Sequence, residues 1–214
     1  MCPNLTSRST TTKGALVAYR SDSRATGNSR KVSSFVFQYN PETLVRVLFY
    51  PEPGLSTTDG QKPPHLSGSP EESISLAFDL DTTNQLEDSK QDGGSEDGLH
   101  PSLAALEAMM YPEMGIGRKA DFPLVILHWG SKRIVPVRLT NIRVSEEAFD
   151  RNLNPIRARI ELSMRVLRQS EFKQGSPGYI ACRSHVNQKN SLALRHASSF
   201  DRGFTSPSSL SSNM

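Results

Sequence analysis

The sequence has little cysteine and no long apolar run, and each shortage excludes a class of protein. Cys2 and Cys182 are the only cysteines among 214 residues, and neither has a partner at zinc-site spacing. A disulfide scaffold and a structural zinc site are therefore not expected. No apolar stretch approaches the roughly 18 residues that a transmembrane helix needs. The N-terminus also lacks the apolar segment of a secretory signal peptide, so neither a membrane span nor an export signal is expected.

Hydrophobic residues are also scarce, at 36% of the chain, which is below the usual share for a compact domain. This deficit predicts unstructured segments beside a folded body. Charge divides the chain in the same way, because residues 1–34 carry a net +5, residues 35–167 a net −6 and residues 168–214 a net +4. The basic ends lack interleaved aromatic residues, so nucleic-acid binding is not expected. We predict a disordered tail over 1–12, a β-domain over 13–168 and a flexible, basic, serine-rich tail over 169–214.

The predicted body shows strong alternation of apolar and polar residues. Between Ile156 and Leu167, apolar side chains occupy every second position and mostly charged ones lie between them, which is typical of a half-buried strand. The apolar phase of another segment shifts at Thr140 and Asn141, which predicts a β-bulge. The other strand-like segments are residues 13–19, 34–39, 44–49, 73–81, 124–129 and 134–144. We expect a mostly β (α+β) protein, either two packed antiparallel sheets or a β-barrel, with one flanking helix.

One segment favours a helix and another favours an exposed loop. Pro101 suits the first turn of a helix over residues 101–111, whose apolar stripe comprises Leu103, Leu106 and Met110. An isolated helix of this length is only marginally stable in water, so we expect it to pack on the sheet. Residues 81–98 contain six acidic residues and one lysine, and we expect them to form an exposed acidic loop.

No group of residues forms a convincing catalytic or metal-binding motif. Asp81 is followed by two threonines, which resembles part of an aspartic-protease loop, but Thr83 stands where that motif requires glycine. His100 fits a turn at a helix start, and His128 lies inside an apolar strand, where a core role is the simpler interpretation. No second histidine or cysteine accompanies either at ligand spacing. We therefore predict no catalytic, cofactor-binding or metal-binding residues.

The charged face of the strand that begins at Ile156 leaves assembly as the remaining interpretation. Three arginines line this face, and two outward aspartates on the segment 73–81 offer the opposite charge. In a ring of identical subunits, such surfaces could meet head to tail. A solvated sheet face is the simpler alternative, since exposed ion pairs contribute only about 0–1 kcal/mol. The predicted subunit-interface residues are Asp79, Asp81, Arg157, Arg159 and Arg165.

Five segments, taken in order, resemble one family, the tube-type proteins of contractile injection systems, which are phage-tail-like particles built by bacteria. The segments are FQYNPET at 37–43, LAFDLDTT at 76–83, LHPSLAALE at 99–107, PVRLT at 136–140, and EEAFD with LNPIRA within 146–158. The resemblance spans residues 13–168. It implies two packed β-sheets with a flanking helix, assembled into a hexameric ring.

Within this family, the chain resembles the tube initiators of the baseplate hub, which lie between a trimeric spike and the inner tube. The resemblance implies a structural subunit without a cofactor, whose partners are its own copies, the spike protein, the inner tube protein and other baseplate subunits. Many such proteins carry a C-terminal LysM module that binds peptidoglycan, but residues 170–214 are too polar to form one. The protein is expected to stay cytoplasmic until the particle assembles, without direct membrane contact.

Two other classes of function stay open at this point. A monomeric β-domain that binds a protein or polysaccharide partner is the main alternative, and an enzyme is the weaker one. A ring subunit should expose its strand edges, whereas a monomeric binder should shield them. The exposure of the sheet edges therefore separates the first two classes.

Overall fold

A computed structural model describes residues 12–20, 31–50, 70–82, 97–112 and 122–200. The strands are β1 Ala15–Tyr19, β2 Lys31–Val36, β3 Leu44–Phe49, β4 Glu71–Asp81, β5 Leu124–His128, β6 Ile134–Phe149 and β7 Pro155–Val166. The helices are α1 His100–Glu107 and α2 Pro177–Phe200, and a 3-10 turn spans Gln169–Glu171. Most of the predicted N-terminal tail (1–11) and most of the predicted acidic loop (83–96) lie outside the described residues.

The seven strands form one antiparallel sheet in the order β2-β1-β5-β6-β7-β4-β3. β5, β6 and β7 pair in succession; β1 and β2 continue the sheet beyond β5, and β4 and β3 continue it beyond β7. β6 and β7 are the longest strands, with 16 and 12 residues. At roughly 3.3 Å per residue, β6 is about 50 Å long when measured along the strand.

The sheet curls until its two sides face each other across a shared core. Phe35 lies on the edge strand β2 and Phe78 lies on β4, with four strands between them in the sheet. Their ring centroids are nevertheless 5.5 Å apart. Phe37 packs edge-on against Phe78 and Trp129. The predicted mostly β class is confirmed. The described strands nevertheless form one curled sheet, neither two separate sheets nor a closed barrel, because β6 and β7 continue through the bend.

The alternation predicted for β7 and β4 is confirmed by burial. In the register of the sheet, Ile160 of β7 lies between Phe78 of β4 and Val144 of β6. Burial of one large aliphatic side chain contributes roughly 1.5–3 kcal/mol, so these two strands supply much of the stabilisation of the core. Their buried apolar side chains are Ile74, Leu76, Phe78, Leu80, Ala158, Ile160, Leu162, Met164 and Val166.

The predicted β-bulge is present in β6. The register against β7 shifts between Leu139 and Asn141, which leaves Thr140 as the extra residue. The Thr140 hydroxyl donates a hydrogen bond to the Ser163 carbonyl at 3.0 Å. β6 then continues beyond its predicted end to Phe149, with further register shifts near that end. These shifts interrupt the apolar alternation, which explains why the sequence pattern predicted a shorter strand.

α1 packs its apolar side on the sheet beside β2 and has proline in its first turn, as predicted. Leu103 and Leu106 are buried. The third buried side chain is Met109 rather than the predicted Met110, which is only partly buried. The chain leaves α-helical geometry after Glu107, earlier than the predicted end at residue 111, and the tighter turn that follows rotates Met109 inward.

The segment after β7 differs from the flexible tail predicted for residues 169–214. α2 occupies 24 of these residues, Pro177–Phe200. Its inner side carries Gly178, Cys182 and His185 at helical spacing, and all three are buried. None of them is a large aliphatic residue, so α2 lacks the apolar stripe by which an amphipathic helix is found in a sequence. The domain boundary at residue 168 stays a prediction.

Candidate assembly surfaces

Several segments of the family resemblance meet at one end of the sheet. Gln38 Nε2 donates a hydrogen bond to the Asp81 carbonyl at 2.6 Å, and the Asp81 N–H donates to Gln38 Oε1 at 3.0 Å. Asn40 Oδ1 accepts a hydrogen bond from the Gly14 N–H at 2.8 Å, and Asn40 Nδ2 donates to the Thr12 carbonyl at 2.9 Å. These amides thus complete backbone hydrogen bonding where strands end. We call this region the motif end and define it as residues 37–43, 81–82, 97–107 and 153–157.

The same end holds the start of α1 against the start of β7. The Thr82 N–H donates to the Ile156 carbonyl at 3.0 Å, and the Leu99 N–H donates to the Pro155 carbonyl at 2.8 Å. Gly98 has φ +55°, and a Cβ at this position would lie 2.5 Å from the Pro155 carbonyl oxygen. Only glycine fits both this backbone conformation and this close approach. The motif residues therefore hold the fold together.

Four of the five predicted interface residues lie within or next to the motif end, on the outward face of β4 and β7. In the register of these strands, Asp79 lies opposite Arg159 and Asp81 lies opposite Arg157. Arg157 donates two hydrogen bonds to Asp81 Oδ2, at 3.2 and 2.9 Å, and this contact raises the pKa of Arg157. Arg159 Nη1 is 3.9 Å from Asp79 Oδ1, and both side chains are more than half exposed. The structure thus brings these opposite charges together within one chain.

The fifth predicted residue, Arg165, pairs elsewhere. Its two terminal nitrogens each donate to Glu171 at 2.7 Å, which raises the pKa of Arg165 and lowers the pKa of Glu171. Arg168 bonds Glu71 on β4 at 3.1 Å beside this pair. These contacts fasten the 3-10 turn that leads into α2. That any of the five predicted residues faces another subunit stays a prediction.

β3 forms one edge of the sheet, and its apolar side chains are exposed. It pairs with β4 alone among the described strands. An edge strand offers unpaired backbone N–H and C=O groups to another chain, and exposed apolar side chains beside it favour association. At the opposite edge, on β2, Val36 is 58% exposed. The exposed side chains of β3 are Val45, Val47, Leu48 and Phe49, at 49–53% exposure.

The turn between β6 and β7 presents two further apolar side chains. Asp150 Oδ1 accepts hydrogen bonds from the N–H groups of Asn152 at 2.7 Å and Asn154 at 2.8 Å. Hydrogen bonds from Asn154 are the main cause that lowers the pKa of Asp150. The turn holds Leu153 at φ 65° with 77% of its surface exposed, and Phe149 is 48% exposed. The internal hydrogen bonds of the turn thus hold these two apolar side chains in a defined, exposed position.

α2 docks on the other side of the sheet through a buried carboxylate that the sequence analysis missed. Glu72 on β4 is 7% exposed and accepts hydrogen bonds from Arg46 Nε at 2.8 Å and from Lys189 Nζ on α2. Burial alone would raise the pKa of Glu72, but the bonds from Lys189 and Arg46 outweigh it and lower that pKa. Cys182, whose pKa burial raises to about 11, packs with Leu124, Ile126 and Leu167.

No assembled reaction centre emerges from the described residues. Within those ranges, no three His, Cys, Asp or Glu residues lie close enough to hold a metal ion. The Asp79 and Asp81 carboxylates face arginines, and His128 is partly buried, which lowers its pKa. No helix in the same ranges is both long and apolar enough to cross a membrane. The features that distinguish the described residues are the exposed apolar side chains of β3 and of the β6–β7 turn.

Comparison with known proteins places these surfaces in a family context. The family model described as contractile injection system tube protein matches residues 10–174. No curated protein matches the chain. The matched range contains all seven strands, α1 and the 3-10 turn, and it ends just before α2. The helix that composition did not predict therefore also lies outside the family match.

Proposed function

This chain belongs to the contractile injection system tube protein family. We propose that six copies of it form the tube-initiator ring of the baseplate hub. As a structural subunit of the particle, it would join the trimeric spike on one side to the inner tube on the other. Its further partners would be other baseplate subunits. The proposed role is mechanical, and it requires neither a cofactor nor a catalytic group. The protein would remain in the cytoplasm until the particle assembles.

The observation that carries this proposal is the exposed edge of the sheet. β3 leaves four apolar side chains about half exposed, whereas a monomeric binder is expected to shield such an edge. A ring of identical subunits uses two different surfaces of each copy, one for each neighbour. We expect β3 to supply one of these surfaces. Its apolar side chains and unpaired backbone groups would then become buried in the ring.

The predicted interface residues divide into two groups under this proposal. Asp81, Arg157 and Arg165 already have short hydrogen bonds within their own chain. Asp79 and Arg159 are held only by a 3.9 Å contact, so exchanging partners costs them little. They border an open cleft of 450 Å³. We therefore propose that Asp79 and Arg159 bond a neighbouring subunit, while the other three stabilise the subunit itself.

The mass of the purified protein in solution tests the ring directly. Light scattering after size-exclusion chromatography, with negative-stain images, should show six-subunit rings, either for the protein alone or once the cognate spike protein is added. The inner tube protein should then extend from these rings. A stable monomer that ignores both the spike and the tube protein would contradict the proposal. The monomeric binding domain would then become the better interpretation of the fold.

A further inference from the structure

An open cavity of 320 Å³ lies between α2, β3 and the turn that joins β5 to β6. Its wall contains one carboxylate, that of Glu72, and four cationic side chains. Arg46 and Lys189 share the Glu72 carboxylate. The cavity thus carries an excess of positive charge from the chain's own residues. The four cations are Arg46, Lys132, Arg133 and Lys189.

Two of these cations lack any counterion in the described part of the chain. Lys132 and Arg133 make no side-chain hydrogen bond or ion pair with any described residue. By contrast, Arg157 and Arg165 on the sheet face each have a carboxylate within 3 Å. Like charges that are held together without a counterion favour the binding of an anion. Among the described residues, this cavity therefore holds two neighbouring cations without a counterion, whereas the arginines at 157 and 165 on the strand face are paired.

His185 lies on α2 in the wall of the cavity and is only 8% exposed. The backbone of Ile134 approaches its ring, but neither ring nitrogen forms a hydrogen bond of ordinary geometry. An anionic ligand in the cavity would supply a further acceptor beside this ring.

The rest of the wall favours an acidic peptide over a bare inorganic anion. Trp129, Val135 and Leu192 give the cavity an apolar part next to its cations. Acidic residues with neighbouring apolar side chains match such a mixed surface, whereas phosphate alone leaves the apolar part unused. The chain contains such a peptide, because residues 84–97 hold five acidic residues and one lysine, and Leu86 precedes an acidic pair.

The described residues on either side of this segment lie far from the cavity of the same chain. Thr82 and Asp97 are at the motif end, whereas Glu72 lies at the opposite end of β4, nine residues from Asp81, which is roughly 30 Å along the strand. A chain of six residues spans at most about 20 Å. This separation favours the cavity of another copy as the binding site for the segment.

We propose that this cavity binds the acidic segment, residues 84–97, of a second copy of the chain. The inference rests on the proposed ring, because it requires the motif end of one copy to approach the α2 side of the next. Carboxylates of the segment would pair with Lys132 and Arg133, and its apolar side chain would contact Trp129. The contact is head to tail, as a ring requires.

Peptide binding to the full chain tests this inference. The receptor carries Glu87→Gln, Asp88→Asn and Asp92→Asn, so that its own segments do not compete. A fluorescent peptide of residues 84–97 should bind it, with an affinity that falls as salt is added. A peptide with all five acids replaced by amides should not bind. Adding Lys132→Ala and Arg133→Ala should weaken binding at least tenfold, while Arg151→Ala, at an exposed arginine in another turn, should change nothing.

Three results would overturn the inference: equal binding of the neutral peptide, equal binding by the Lys132→Ala/Arg133→Ala receptor, or displacement of the peptide by equimolar inorganic phosphate. The last result would mark a plain anion site. Failure of the cavity and failure of the ring give different results. Rings that form while the peptide fails to bind would refute only the cavity, whereas a monomer that binds the peptide would support the cavity and refute the ring.

Discussion

The motif end and the α2 side of the sheet differ in how completely their polar groups are satisfied. At the motif end, side-chain amides complete the hydrogen bonding of strand ends, and glycine allows two segments to touch. We define the α2 side as β3, α2 and the cavity between them. Here apolar side chains are exposed, two cations have no counterion among the described residues, and the buried His185 ring forms no hydrogen bond of ordinary geometry. The residues of the motif segments thus stabilise the subunit itself, while most of the exposed apolar side chains and unpaired cations lie outside those segments.

The two regions should therefore respond differently to substitution. Changes at the motif end should reduce the stability of the subunit, because they remove internal bonds. Changes on the α2 side should affect association or the docking of one helix, and most should leave the free energy of unfolding nearly unchanged.

Gly98→Ala should have the largest effect on stability. Its Cβ would lie 2.5 Å from the Pro155 carbonyl oxygen at φ +55°, so steric conflict adds to backbone strain. We expect a loss of about 3 kcal/mol in the free energy of unfolding, measured with urea. Gly130→Ala is the matched control, because Gly130 has φ +69° with nothing within 4 Å of the added Cβ. A loss of equal size in both variants would show that strain alone decides the effect.

Gln38→Ala should cost about 1–3 kcal/mol, because it removes both hydrogen bonds that the Gln38 amide makes with the N–H and the carbonyl of Asp81. Gln188→Ala is the counterpart on the α2 side. Gln188 donates one exposed hydrogen bond, at 3.3 Å, to the Ser131 carbonyl. Its removal should change the unfolding midpoint in urea very little. If the two variants proved equally stable, the contrast between the regions would fail.

These two glutamines also show what the sequence can and cannot predict. The alternation of β4 and β7 and the bulge at Thr140 follow from apolar spacing, because one face of each strand must be buried. The structural role of Gln38 could not be predicted, because it depends on hydrogen bonds with Asp81, which is distant in the sequence. The curl of the sheet escaped prediction for the same reason, because the contact between Phe35 and Phe78 joins strands that are not neighbours.

α2 could not be predicted because no stripe of large apolar residues docks it. Its buried residues are Gly178, Cys182 and His185, and its ion pair reaches Glu72 more than a hundred residues earlier. Hydrophobicity carries no signal for such a helix. The interface residues were chosen from strand periodicity, which correctly placed their charges on one face. Periodicity could not show that Arg165 would find its partner, Glu171, in the turn after the strand.

Acid should weaken the docking of α2, and His185 should be the first cause. Burial, together with the charge of Lys189, lowers the pKa of His185 in the folded protein. Below the ordinary histidine pKa of about 6.5, the unfolded chain therefore binds a proton at His185 more readily than the folded chain does. The stability contributed by neutral His185 is complete above that pH and is lost as the pH falls towards and through the pKa of the folded state. Urea unfolding at pH 8 and pH 5.5 should show a smaller fall for His185→Leu than for the unmodified chain.

Two other groups define the limits of this pH test. Burial also lowers the pKa of His128, so His128 contributes the same fall to both proteins, and only their difference reports on His185. The lowered pKa of Glu72 stabilises the folded chain above about pH 4.5, and this contribution is lost at more acidic pH. Identical pH dependence in the two proteins would contradict a buried, neutral His185.

Arg159→Ala should have the smallest effect on the free subunit. Its contact with Asp79 is 3.9 Å long and exposed, so the free energy of unfolding should change by no more than about 0.5 kcal/mol. The same substitution should make the ring dissociate at higher protein concentration than the unmodified ring, as followed by analytical ultracentrifugation. Arg151→Ala serves as the exposed control. An unchanged dissociation profile for Arg159→Ala would remove this residue from the interface.

The most direct test of the account compares the masses of the unmodified chain and of Val47→Lys at matched concentrations, with spike protein present in both samples. Val47 is 50% exposed on the open edge strand, so lysine should leave the urea midpoint unchanged while placing a charge where a neighbour would pack. The account predicts six-subunit rings for the unmodified chain and a folded monomer for Val47→Lys. Rings of equal stability from both proteins would contradict the claim that this edge assembles the ring.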